Sequence, residues 1–458
     1  MISLKESEIN FDKYYTAYEV EIPGGKIPEN APTKTGTSEN QSLLAAVTRE
    51  SLWPLRISQI SGFFPIPIHP RKNCANLSAE IYLPATFSLL KTPSVWWTLF
   101  LIALTFFPII SYQADAERFD DYSVAFESMG RNTFRTINLL WILLGNGCPF
   151  LARVDVILQR KRFIAFWTNF LDMLRQFDTT LDKNNILSPT KFGSSLRKKF
   201  FVHVILNFAA VLIGMYGGLM FAFQYEGKIF TYIMGILQDG FSMMLAVMQV
   251  FGFTLMIFFL MVYNHCLAVI LNMLEKKGEQ NRDNGVEKLI KLYKLVDDQV
   301  HEFNGIFNYK MVLEVLYNFM SILFYGYFLI LFTKMGEIFV FLINVVNCLF
   351  LLIWFVWFGK ECSEVAGKSR EIGRKLAYLG FGGNDTMQFV SVQKIGAQDS
   401  TNYQKRGVCK TAIGYIQSCP LTIETSIFDL NLKLLLSIFA AILTYVVIIV
   451  QFQSVDRS

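Results

Sequence analysis

The chain has 458 residues, of which 53% are hydrophobic, 15% aromatic and only 17% charged, with a net charge of +5. A soluble domain carries about 25% charged residues, and here the apolar residues run in long blocks, so the composition excludes an ordinary soluble protein and points to a polytopic membrane protein. The net charge of +5 says little about partners, because the position of the charges matters more than their sum; no nucleic-acid partner is expected.

Residues 1–45 read as a disordered cytoplasmic tail without a signal peptide. Ile22–Ser42 is rich in Pro, Gly, Thr and Asn and is too polar to bury a core. Residues 46–93 follow as an interfacial or re-entrant segment, because the apolar stretch Leu52–His69 contains Pro54, Pro65 and Pro67 and is short for a span.

Seven spans are predicted: Ser94–Tyr112, Thr133–Leu158, Phe200–Gln224, Phe241–Met273, Met311–Thr333, Ile338–Phe358 and Leu434–Phe452. Spans 1–4 fall in residues 94–275, with a cytoplasmic helix between spans 2 and 3. Spans 5 and 6 fall in 276–425 with cytoplasmic anchor helices, and 426–458 holds span 7 and a short tail. The connections 2–3, 4–5 and 6–7 are long, the others short. Of the 42 Lys and Arg residues, 36 lie on the side of the N-terminus and the long connections. The positive-inside rule therefore places the N-terminus in the cytoplasm and the C-terminus outside.

Val286–Phe303 carries apolar residues at i, i+3, i+4 and i+7, and Glu361–Leu379 shows a similar pattern. Both read as amphipathic helices continuing spans 5 and 6 into a cytoplasmic bundle; lying on the bilayer surface is the other reading of the pattern.

Enzyme chemistry finds little support. His69, His203, His265 and His301 do not pair with one another or with Cys at metal-ligand spacing. His301 with Asp297 and Asp298 reads as a solvated ion pair. Gly214-Met215-Tyr216-Gly217-Gly218 lies inside a span and is no phosphate loop. Neither cofactor nor metal is expected. None of the seven cysteines falls in an outer loop, so no structural disulfide is expected, and the sequons at Asn40, Asn76 and Asn384 fall on the cytoplasmic side. A G-protein-coupled receptor, the alternative for a seven-span chemoreceptor signalling through a cytoplasmic partner, has its N-terminus outside. Its Asp-Arg-Tyr and Asn-Pro-x-x-Tyr motifs are missing here.

Span 7 is uncharged from Leu434 through Val455, about 33 Å of helix at 1.5 Å per residue. Ser437, Thr444 and Gln451 recur at intervals of seven and share one face, drifting about 20° per step. Tyr445 and Phe452 form a second, aromatic strip. Packing against the chain's own helices and lining a pore with copies of itself both account for such a stripe. Asp429 and Lys433 flank its inner end.

The run Thr444-Tyr445, five apolar residues, then Gln451-Phe452 resembles the C-terminal signature of insect gustatory receptors, and the seven-span, inverted layout agrees along nearly all the chain past Gln41. The resemblance implies an all-α, seven-helix membrane channel at the plasma membrane, with span 7 of four subunits lining the pore. Gln451 and Phe452 would form the gate, with Ser437, Thr444, Tyr445, Val447 and Ile448 beside them. It implies a tastant-gated, non-selective cation channel, homotetrameric or heteromeric with related receptors. A small-molecule tastant would bind in the outer half of spans 2–6. Polar and aromatic residues at that depth are Asn138, Trp141, Tyr216, Gln249, Tyr325, Asn344 and Asn347. The sweet-sensing branch often has an acid after Thr-Tyr; Val446 stands there, so a sugar such as fructose or a bitter compound fits at least as well.

Overall fold

A computed structural model describes residues 42–66, 69–71, 80–82, 92–106, 131–180, 193–199, 251–277, 283–335, 338–381 and 413–455, and five single positions between 201 and 212. Most of span 3, the connection to span 4 with the first ten residues of span 4, and residues 1–41 lie outside the described residues. Eight helices of twelve or more residues are described: α1 (Leu43–Ile60), α2 (Pro93–Leu104), α3 (Arg131–Leu158), α4 (Arg160–Thr180), α5 (Gly252–Lys277), α6 (Asp283–Met335), α7 (Ile338–Phe381) and α8 (Leu432–Val455). A short two-stranded antiparallel ribbon, β1 (His69–Arg71) with β2 (Glu80–Tyr82), accompanies the helices; the described residues are otherwise mostly helical, in keeping with the all-α expectation.

Helix α1 begins inside the tail expected over residues 1–45 and runs through Pro54 as a packed helix, with Leu43, Val47 and Leu55 buried. Its N-terminus is closed from another helix. Asp178 of α4 accepts the N–H of Leu43 (2.7 Å) and of Leu44 (2.9 Å) and the hydroxyl of Ser42 (2.6 Å). The N–H of Ala45 goes to the Ser42 hydroxyl at 3.2 Å. A carboxylate there both satisfies orphan donors and meets the positive end of the helix dipole.

Helices α6 and α7 each run without a break from the stretch expected as a span into the stretch expected as an amphipathic helix. Their 53 and 44 residues correspond to roughly 80 Å and 65 Å at 1.5 Å per residue; a hydrocarbon core takes about 30 Å. Among the described residues, two helices are long and apolar enough to cross a membrane, Gly252–Glu275 and Asn344–Tyr378. The first is largely enclosed by its neighbours, as expected for a helix that is apolar on all sides.

Below them, α4 buries Phe163, Phe166, Trp167, Phe170, Met173, Leu174 and Phe177, a 3–4 repeat along one face. These rings interlock edge-to-face with Phe259 of α5, 4.9 Å from Phe166 and 5.0 Å from Phe170. Phe303 and Phe307 of α6 complete the stack. The amphipathic stretch Val286–Phe303 thus has its partner surface: Leu289, Leu292, Val296, Val300 and Phe303 are buried in the same core. Helix α6 is the hub, touching α3, α4, α5, α7 and α8.

Candidate functional site

Helix α8 is unbroken from Leu432 to Val455. Asn431 caps it, its side-chain oxygen accepting the N–H of Leu434 at 2.9 Å, the residue type expected before a helical apolar run. The approach to this cap is tied to α6 and α7 at three points and closed by one local turn. Ser369 of α7 accepts the N–H of Leu421 (2.8 Å), and Asn304 of α6 donates to the carbonyl of Thr422 (3.0 Å). Asn308 of α6 accepts the N–H of Ser426 (2.8 Å), while the hydroxyl of Thr425 closes a turn onto the carbonyl of Phe428 (2.9 Å). These amides and hydroxyls are polar residues within apolar surroundings, a signal available in the sequence; their joint role was not readable there, because the partners lie about 50 to 120 positions apart.

The two faces of α8 differ. Leu434, Ile438 and Ile442, each four residues apart, pack toward α6 and α7, and Ile442 is only 4% exposed. Ser437, Ala440, Thr444, Val447, Ile448 and Gln451 are exposed on the protomer. The heptad stripe therefore lies away from Leu434, Ile438 and Ile442, on the exposed side of the helix. Both hydroxyls are satisfied within the helix. Ser437 donates to the carbonyl of Lys433 at 3.0 Å and Thr444 to that of Ala440 at 2.9 Å. Such back-bonding lets a hydroxyl face an apolar or a wet surface with its lone pairs outward. Tyr445 is 54% exposed, although by helical angle it falls nearer the packed face than the stripe. The backbone of Phe452 belongs to α8, and its side chain lies outside the described residues.

Of the expected ligand-site residues, Tyr325, Asn344 and Asn347 can be placed with their side chains. Tyr325 of α6 packs, with Cys348 of α7 and Ile438 of α8, against the cluster Ile322, Leu351 and Ile442. It lies in the seam where α6, α7 and α8 meet, next to the pore candidate. Asn344 and Asn347 are half-buried on α7. Asn138 and Trp141 belong to α3, but their side chains lie outside the described residues, as do Tyr216 and Gln249 altogether.

The sequence reading missed two buried polar groups. Glu361 of α7 accepts from Asn264 of α5 (2.9 Å) and from Trp357 (3.0 Å). Glu50 of α1 is buried and receives Arg197 at 2.6 and 3.0 Å. Each pairs a carboxylate with donors on a distant helix, which is how a buried charge is accommodated. His301 is exposed on α6, as expected for a solvated group. Burial, then the charge of Asp298, pushes the carboxyl of Asp297 above its ordinary value, with His301 and Lys294 opposing. Among the described residues, no group of three or more His, Cys, Asp and Glu is placed to hold a metal.

Comparison with known families decides the identity. The sequence profile of the 7tm chemosensory receptor family matches residues 55–382. The chain belongs to this family. Chemosensory receptors of this kind are membrane receptors and not an enzyme family. The fold is shared with the insect olfactory receptor OR5 from Machilis hrabei, at 14% identity and a TM-score of 0.54, covering 89% of this chain and 99% of that one. The structure of the same receptor in complex with eugenol gives 13% identity and a TM-score of 0.51 over the same shares. Comparison with curated protein sequences gives no match. The chemosensory receptor profile ends before the connection to α8, so the closing motif is independent of it.

Proposed function

We propose that this chemosensory receptor is a gustatory receptor: a tastant-gated, non-selective cation channel of the plasma membrane. In this reading its N-terminus is cytoplasmic and four copies, or copies with related receptors, meet along α8. The observation that carries the proposal is the division of α8 between a packed face (Leu434, Ile438, Ile442) and an outward stripe (Ser437, Ala440, Thr444, Val447, Gln451). A helix buried in its own bundle has no such open polar stripe, and one facing lipid alone gains nothing from it; copies sharing a water-filled axis do.

Gln451 and Phe452 close the pore near its outer end, and Tyr325 joins ligand to gate through its contact with the α6–α7–α8 seam. The tastant, a sugar such as fructose or a bitter compound, binds among the outer halves of spans 2–6, with Asn138, Trp141, Tyr216, Gln249, Asn344 and Asn347 as candidate contacts. The complex of the olfactory receptor with eugenol supports a small-molecule site in this fold. Recording currents from cells that express only this chain tests the proposal: a current evoked by tastant without added G protein is expected, and a response that requires a G protein contradicts it.

A further inference from the structure

A small cavity lies where the turn after α1, the end of α3 and the middle of α6 meet. Its volume is about 20 Å³, and its wall includes Phe63, Asp155, Gln159, Phe163, Phe307 and Lys310. The turn is fixed by glycine: Gly62 has φ +77°, and a Cβ there would stand 2.8 Å from Leu101 and 3.2 Å from Arg153. Phe63 is consequently held between two cations, with the Arg153 guanidinium 4.9 Å and the Lys310 ammonium 4.4 Å from its ring centre. Arg153 also reaches the carbonyl of Ser61 at 3.3 Å.

Two polar atoms on the cavity's lining residues are buried and make no hydrogen bond among the described residues, the Lys310 Nζ and the Gln159 Oε1. Lys310 is 1% exposed. The amide group of Gln159 is already oriented, because its Nε2 donates to Asp155 at 2.8 Å, which leaves Oε1 as the acceptor. One lining group is therefore a pure donor, one a pure acceptor, and Asp155 adds a carboxylate.

We propose that this cavity is a binding site for a single ordered water that accepts from Lys310 and donates to Gln159. The volume exceeds the roughly 10–15 Å³ that one water occupies and is too small for an organic ligand. Charge selects the occupant as well. Asp155 disfavours an anion, Lys310 disfavours a cation, and a neutral molecule that both donates and accepts suits both walls. The water joins the end of α3 to α6 beside the Phe63 turn, where a buried ammonium without a hydrogen bond is costly.

A density map of the wild-type receptor sharp enough to show ordered solvent tests the site. A peak within hydrogen-bond distance of Lys310 Nζ and Gln159 Oε1 is expected; an empty cavity overturns the proposal, and so does a peak that gains anomalous signal after bromide exchange. A thermal double-mutant cycle provides a second readout. Lys310→Met and Gln159→Leu are each expected to lower the melting temperature, and the double variant by less than the sum, because both lose the same bridge. Strictly additive shifts count against a shared water.

Discussion

The hydroxyl of Ser369 on α7 stands 2.7 Å from the phenol of Tyr293 on α6 and also accepts the backbone N–H of Leu421. One small side chain therefore joins the two longest helices to the segment that leads into α8. Burial drives the Tyr293 phenol up to about 12, above an ordinary value already high enough to keep it a donor at physiological pH. If α8 is to move against the rest of the subunit, this knot is part of the base it moves from.

Ser369→Ala removes the acceptor for a buried N–H, and about 1–3 kcal/mol of local stability with it. The melting temperature of the solubilised receptor should fall, and hydrogen exchange at Leu421–Leu430 should rise more than elsewhere. Ser369→Thr keeps the hydroxyl and should recover much of the loss.

Asp178→Ala removes the cap that α4 places on α1. Two backbone donors and the Ser42 hydroxyl lose their acceptor, at a cost of about 1–2 kcal/mol. Limited proteolysis should then cut more readily near Leu43. Unchanged protection of α1 would show that its apolar contacts alone hold it.

Asp297→Asn should stabilise the receptor at neutral pH. The fold raises the carboxyl's pKa through burial and the neighbouring Asp298, so the folded state holds this proton more tightly than the unfolded state. The sign follows: the ionised group costs stability above its raised pKa, and the cost fades as pH falls through that value toward the ordinary 3.8. The group is half-buried, so solvent screening keeps the gain at pH 7 small. Melting curves of the two forms should converge in acid; a gain that is the same at pH 4 and pH 7 would mean that charge is not its source.

An epitope tag after Ser458 reports orientation. The count of 36 basic residues against six predicts that antibody reaches a C-terminal tag on intact cells and reaches an N-terminal one only after permeabilisation.

Much of this architecture was legible in local pattern. The 3–4 repeat of Val286–Phe303 announced a helix that needs a partner, and its continuity with span 5 is found in α6. The heptad of Ser437, Thr444 and Gln451 marked a face that the fold leaves open. Less legible were relationships set by distant partners. The cap of α1 by Asp178 and the tethering of residues 421–426 to Asn304, Asn308 and Ser369 join positions with no shared periodicity. Pro54 suggested a broken segment, yet burial of Leu43, Val47 and Leu55 against α4 and α5 holds α1 as a helix, an instance of tertiary packing overriding local preference. Tyr325 is a pocket candidate by its depth; its place in the α6–α7–α8 seam depends on how three helices meet and has no local signal.

The central claim is that the outward stripe of α8 lines an ion pathway closed by Gln451 and Phe452. Whole-cell recording of tastant-evoked current in cells expressing this chain alone, wild type beside Gln451→Ala and Phe452→Ala, tests it most directly. The account predicts an evoked cation current in the wild type and altered gating in both variants, seen as standing current without tastant or a shifted concentration dependence, at unchanged surface expression. Evoked currents identical in all three would contradict the gate and, with it, the role given to α8.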